Sequence, residues 1–226
     1  MTLTPSRKKS ALCASLRTDR VLTTVQLERQ GLMTAADALD LPRVTLTCRT
    51  RVTQPHSDVS LTFVALEESF LERPAQVLMH DVGVAEARQQ CPGLVGGTLR
   101  HLELRGHGRG HLPDAVYLAP GLRTALDWAI EFDAGYDPGR IEQKLRAADR
   151  EGYANYLLAT TVQVRTGQIG PLIRKFPPDE PLLHLRRVET RYVNFWSLRD
   201  PYRTSRRTHK RLTETVASPF WEAVAR

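Results

Sequence analysis

The stretch from Ala125 to Arg165 limits the possible folds more than any other part of the chain. "ALDWAIEFD" alternates as a strand does, with Leu126, Trp128, Ile130 and Phe132 on one face and Asp127, Ala129, Glu131 and Asp133 on the other. "DPGRIEQKLRAADREG" then has helical spacing, with Asp137 as N-cap, Pro138 at the first helical position and Gly152 beyond the end. "YANYLLATTVQV" follows as a nearly continuous apolar run, the pattern of a strand covered on both faces. A strand, a helix and a buried strand in succession form a crossover to a parallel neighbour, so an α/β sheet is expected. Leu126, Trp128, Ile130 and Phe132 are expected to pack beneath the helix that begins at Pro138, with Leu157 and Leu158 in a central strand.

The flanking sequence extends this unit. "MHDVGVAEARQQCPG" predicts a short helix stopped by Pro92-Gly93, "TLRHLELR" a strand ended by the loop "GHGRGH", and "DAVYLA" a second strand. Residues 76 to about 176 therefore read as helix, three strands, helix, strand. Residues 1 to about 75 have a different pattern. "TTVQLERQGLMTAADALDL" predicts two short helices around Gly31-Leu32, the first starting after Thr23 and the second at Thr34. "RVTLTCRTRV" and "DVSLTFVAL", separated by "TQPHS", predict a hairpin. Helix, turn, helix and hairpin is the order of a winged helix-turn-helix, whose second helix enters the major groove of DNA. The alternative is a small packing domain that touches no nucleic acid. Residues 177–226 form a basic C-terminal extension in which "LLHLRRVETRYVNFWSL" is expected to add an edge strand. The expected class is thus α/β (α+β).

Charge points to a partner. With 32 Lys and Arg against 25 Asp and Glu, the formal charge is +7 and the pI about 9.7, which favours nucleic acid over neutral or cationic ligands. Cys13, Cys48 and Cys91 are widely spaced and have no zinc-ligand spacing, so a reduced, cytoplasmic protein without structural zinc is expected. The apolar run near the start is too short and too soon recharged for a signal peptide, and no later segment has the length or apolarity to span a membrane.

The acids are unexpected in a chain this basic. Glu131 and Asp133 share one strand face, and Asp114, at the start of the preceding strand, joins them if that strand and theirs pair as a hairpin. Carboxylates this close repel as 332/(εr), so water, a basic residue or a hard cation must offset them. Oxygen-only ligands suit Mg2+ or Mn2+, and such a metal can activate water against a phosphate. Pairing of Glu131 and Asp133 with arginines is the alternative. Asp127 is expected to be a solvated acid near a turn, outside the site. His80 and Glu86 would at most support the acids from behind. His107 and His111 lie in a glycine-rich loop that fixes no shared face, so no metal pair is expected there.

In order and spacing, these segments resemble the PD-(D/E)xK restriction-endonuclease-like superfamily. More closely they resemble the replication-relaxation family of plasmid and mobile-element proteins, through "MHDVGVAEAR", "PDAVYL", "IEFDAG" and "RIEQKLRAADREGYANYL". The resemblance covers about three quarters of the chain and implies a winged-helix segment followed by an αβββαβ endonuclease-like core. It places Asp114 and Glu131 at metal-binding positions and puts Asp133 where the superfamily has its catalytic lysine. Some members carry that lysine on the following helix, which here makes Lys144 the candidate. Ile141, Leu145 and Ala148 form the apolar stripe of that helix and Lys144 lies at its edge, from where it can snorkel toward the acids or, equally, pair with Asp133 and neutralise an inactive site. The resemblance-derived catalytic set is Asp114, Glu131, Asp133 and Lys144, with the three acids as ligands.

In the C-terminal extension, Arg186, Arg187, Arg191, Arg203, Arg206, Arg207, Lys210 and Arg211 are expected to follow a phosphate backbone, with Tyr192, Trp196 and Tyr202 stacking on bases. Two functions fit. One is a divalent-metal-dependent endonuclease or nickase of plasmid or mobile-element replication. The other is a non-catalytic DNA-binding accessory factor or repressor on a nuclease-like scaffold. By analogy with two-fold DNA sites, a homodimer is expected in the cleaving case.

Overall fold

The computed structural model describes residues 3–91, 94, 96–102, 112–121, 126–177, 179–199 and 212–217. The protein is mixed α/β, with six α-helices and two sheets among these residues.

The first helix, α1 (Pro5–Asp19), lies where the sequence shows only a basic opening. Pro5 starts it, and Leu12 and Leu16, one turn apart, bury its inner face. A short strand β1 (Val21–Thr23) leads into α2 (Thr24–Arg29). A capping box fixes this start as expected: Gln26 N donates to Thr23 Oγ1 at 3.1 Å, and Thr23 N donates to Gln26 Oε1 at 2.9 Å. Next come α3 (Met33–Ala38) and the hairpin β2 (Arg43–Arg49) and β3 (Asp58–Ala65). The three strands form one antiparallel sheet in the order β1-β3-β2.

Helix α4 (Ala75–Gln90) starts four residues earlier than "MHDVG" implies and joins the two sheets. Its Leu78, Met79 and Val82 share a core with Phe63 of β3 on one side and with Ile130 and Phe132 of the large sheet on the other. Gly83 makes the second contact possible, because a Cβ there would lie 2.2 Å from Phe132 Cδ2.

The large sheet contains β4 (Thr98–His101), β5 (Ala115–Leu118), β6 (Trp128–Asp133), β7 (Asn155–Thr160), β8 (Arg187–Tyr192) and β9 (Thr213–Ala217), in that spatial order. Helix α5 (Pro138–Arg150) makes the β6-to-β7 crossover, and the two strands pair in parallel with Glu131 opposite Leu158. Helix α6 (Ile169–Ile173) lies between β7 and β8, which also pair in parallel. The remaining pairs are antiparallel.

Two expectations are corrected here. Trp128, Ile130 and Phe132 do not pack beneath the helix that begins at Pro138. They face α4 and the small sheet, and Leu126 is exposed. Helix α5 covers the opposite face instead, where Ile141, Leu145 and Ala148 meet Ala129, Tyr156 and Leu158. Both faces of β6 are covered, so alternation separates its two faces without saying which layer lies on each. Strand β8 is also not an edge strand, because β9 pairs along its outer side.

Candidate functional site

The middle of β6 brings together acids and bases from four elements. Glu131 lies on the α5 side of the strand and is 1% exposed. Lys144 reaches it from α5, with Nζ 2.9 Å from Oε1 and 3.0 Å from Oε2, and donates to Leu112 O at 2.7 Å. Asp114, immediately before β5, accepts from Phe132 N at 2.8 Å through Oδ2. Its Oδ1 lies 2.9 Å from Nδ1 of His80, whose ring comes from α4 and stands edge-on to Phe132 at 5.3 Å. His80–Asp114 and Lys144–Glu131 are therefore two buried acid–base pairs side by side.

The two pairs perturb one another. Burial pushes the Glu131 carboxyl up to about 8; the Asp114 charge adds to this, and Lys144 and His80 only partly offset it. Burial also works against ionised Asp114, yet the His80 charge and hydrogen bond, the Phe132 N–H and Lys144 hold it below the usual carboxylate range. His80 is disfavoured as a cation by burial, but the neighbouring Asp114 raises its pKa overall. Tyr156 OH is buried close by without a hydrogen-bond partner among the described residues, and burial together with the charges of Glu131 and Asp114 raises its pKa well above the usual phenol value.

Asp133 does not join this group. Its Oδ1 accepts from Gly135 N at 2.7 Å and from Tyr136 N, and its Oδ2 accepts from Thr160 Oγ1 at 3.0 Å and Arg165 Nε at 3.2 Å. It is an Asx turn anchored by a buried arginine. The structure thus brings together Asp114, Glu131 and Lys144, adds His80 in direct contact, and assigns Asp133 to a separate structural role. Arg165 has no periodic signal in sequence, but "DAG" at a strand end signals the turn that fills Asp133 Oδ1.

A Mg2+ or Mn2+ ion needs several convergent oxygens. Here Asp133 is saturated, Asp114 is shared between His80 and a backbone N–H, and Glu131 is held by Lys144. Among the described residues no group of three or more His, Cys, Asp or Glu side chains is arranged to hold a metal. The expected three-acid cradle does not fit this arrangement.

The predicted phosphate-binding arginines divide differently. Arg186 is exposed. Arg187 and Arg191 instead turn to Glu189, at 2.7 and 2.6 Å, because that carboxylate is buried in β8 and needs partners. Arg191 also donates to Gln90 O at 2.6 Å. Trp196 is half-buried, edge-on to Phe195 at 5.3 Å. Arg203, Arg206, Arg207, Lys210, Arg211 and Tyr202, like the loop holding His107 and His111, lie outside the described residues. Asp127 is not simply solvated, since it accepts from Ala119 N at 2.8 Å. Glu86 pairs with Arg29 at 3.1 Å and accepts from Gln26 Nε2 at 2.9 Å, tying α2 to α4. Among the described residues no helix is long and apolar enough to cross a membrane. Comparison with protein-family models, with curated proteins and with solved structures gives no match to the chain.

Proposed function

We propose that this protein binds DNA in plasmid or mobile-element replication, and that its endonuclease-like core grips DNA rather than cuts it. The observation that carries the reading is the order α1-β1-α2-α3-β2-β3 with sheet order β1-β3-β2, which suits a winged helix, ahead of the order α4-β4-β5-β6-α5-β7 in a chain of charge +7. Binding relies on phosphate contacts more than on base reading. Helix α3 carries no Lys or Arg, and its Asp37 pairs with Arg43 at 2.6 Å.

The paired acids favour binding over cleavage, because each carboxylate of the cluster is already held by a base or a backbone N–H. A second reading, metal-dependent nicking, draws on one observation: Asp114, Glu131 and Lys144 meet as the endonuclease resemblance implies, and Lys144 would have to release Glu131. Incubation of supercoiled plasmid with and without magnesium or manganese separates the two. The expected result is a mobility shift that weakens steeply with salt, without nicked product. Metal-dependent nicking that Asp114→Ala and Glu131→Ala both abolish establishes the second reading. Absence of any salt-sensitive shift removes DNA binding altogether.

A further inference from the structure

The hairpin loop between β2 and β3 is the wing of the proposed winged helix, and it does not project freely. Val52 N donates to Ala134 O at 2.8 Å, and Thr161 Oγ1 donates to Thr50 O. These bonds dock the loop on the carboxyl ends of β6 and β7. The loop is also braced internally: Ser57 Oγ donates to Arg51 O at 2.9 Å and accepts from Arg51 N at 3.2 Å, and Thr50 N donates to Ser57 O at 3.0 Å. At the contact, Gly135 has φ +113°, a backbone conformation that residues other than glycine rarely adopt, and Thr53 packs against it.

Beyond this contact lies the turn into α5. Tyr136 follows Gly135, and the exposed Arg140 guanidinium sits over its ring at 4.0 Å from the centroid. Arg51, on the wing, hydrogen-bonds to Gln54 Oε1 at 2.6 Å. Among the described residues neither Arg51 nor Arg140 has a carboxylate within ion-pair distance, unlike Arg165, which the buried Asp133 neutralises beneath them. Two arginines without an acidic partner thus sit on two rigid elements locked edge to edge.

We propose that the wing and the β6–α5 turn form one composite surface for a nucleic-acid backbone, with Arg51 and Arg140 each contacting a phosphate and Tyr136 holding Arg140 in place. This rests on the DNA-binding reading and adds where the strand lies: across the carboxyl ends of the parallel strands. Arginine suits the site because its fork donates to two phosphate oxygens at once. Docking the wing removes the entropy loss that a mobile wing suffers on binding.

The test is fluorescence anisotropy of a labelled DNA duplex over a salt series, with circular dichroism as a check on folding. The log–log slope is expected to fall by about 0.9 for Arg51→Gln, by about 0.9 for Arg140→Gln, and by about twice that in the double variant. Arg51→Lys/Arg140→Lys is expected to keep the slope. Arg146→Gln, in the Glu142 pair on the outer side of α5, is expected to leave it unchanged. A folded double Gln variant with the wild-type slope overturns the composite surface while leaving DNA binding by the protein intact. A wild type that shows no salt-dependent binding overturns the DNA reading and this inference with it.

Discussion

Glu131 and Asp133 lie two residues apart on one strand, on the same side, and both are almost wholly buried. Their surroundings differ completely. Asp133 meets four donors from a turn, a neighbouring strand and Arg165, so its charge is compensated on every side. Glu131 meets one ammonium, lies beside a second carboxylate and has an orphaned tyrosine hydroxyl nearby. A saturated buried charge holds a fold together. An undersaturated one stores unfavourable energy, and natural structures keep such spots mainly where they act. The carboxyl end of β6 is therefore the structural anchor, and its middle is where burial of the acids is least compensated.

The largest effect is expected at the anchor. Asp133→Ala leaves Arg165 buried without its carboxylate and opens the turn, so a loss of about 3–5 kcal/mol in denaturant unfolding is expected. A loss below about 1 kcal/mol would erase the distinction between the two acids.

Protonation sharpens the comparison from the other side. In the folded protein Glu131 stays neutral up to about 8, whereas in the unfolded chain it ionises near 4.5. Between these values the folded state holds the extra proton, so stability falls as pH rises, with a slope approaching about 1.4 kcal/mol per pH unit. His80 acts in the same direction: its contribution is full below 6.5 and is lost as pH rises through its raised folded value. Asp114 acts oppositely, adding stability above 3.8 that is lost as pH falls through its lowered folded value. Thermal unfolding scanned from pH 5 to 8 should therefore show declining stability, and Glu131→Gln should flatten that decline. An equal slope in wild type and variant would place the titration elsewhere.

Gly83→Ala tests how α4 holds the middle of the strand. The added methyl meets the buried Phe132 ring, so a loss of about 1–3 kcal/mol is expected from overpacking. Through His80 it should also weaken the pH dependence; a variant as stable as wild type would mean that α4 and β6 part easily. Thr160→Val has the smallest expected effect. It removes one of the four donors to Asp133 and an acceptor for Val162 N, a loss of about 0.5–1.5 kcal/mol by chemical denaturation. A larger loss would mean that the anchor depends on that hydroxyl rather than on Arg165.

Much of the core was legible in the residues alone. The α4-β4-β5-β6-α5-β7 order matches the expected helix, three strands, helix and strand, because alternation, capping residues and turn signals are local. The hairpin β2-β3 and the helices α2 and α3 were legible for the same reason. Helix α1 was hidden because its basic residues mask a stripe of only two leucines, and β9 because "TETVA" has no distinctive pattern. In the candidate site, the position of Lys144 at the edge of the α5 stripe follows from 3.6-residue periodicity. Its meeting with Glu131 depends on the crossover bringing α5 back over β6.

By itself the sequence determined which segments become strands and helices, which residues share a face, and that the chain carries an excess of positive charge. Only the tertiary structure decided which layer covers each face. Both faces of β6 are buried, one lined by Trp128, Ile130 and Phe132 and the other by Ala129, Glu131 and Asp133, and no local pattern distinguishes α4 from α5 as the cover. The fate of the acids was decided there too, because a buried carboxylate takes its partners from whatever elements the fold brings within about 3 Å. Arg165, Thr160 and His80 reach Asp133 and Asp114 from 27 to 34 residues away in the chain. Charge compensation at such separations is a property of the packed molecule and leaves no spacing for a sequence to show.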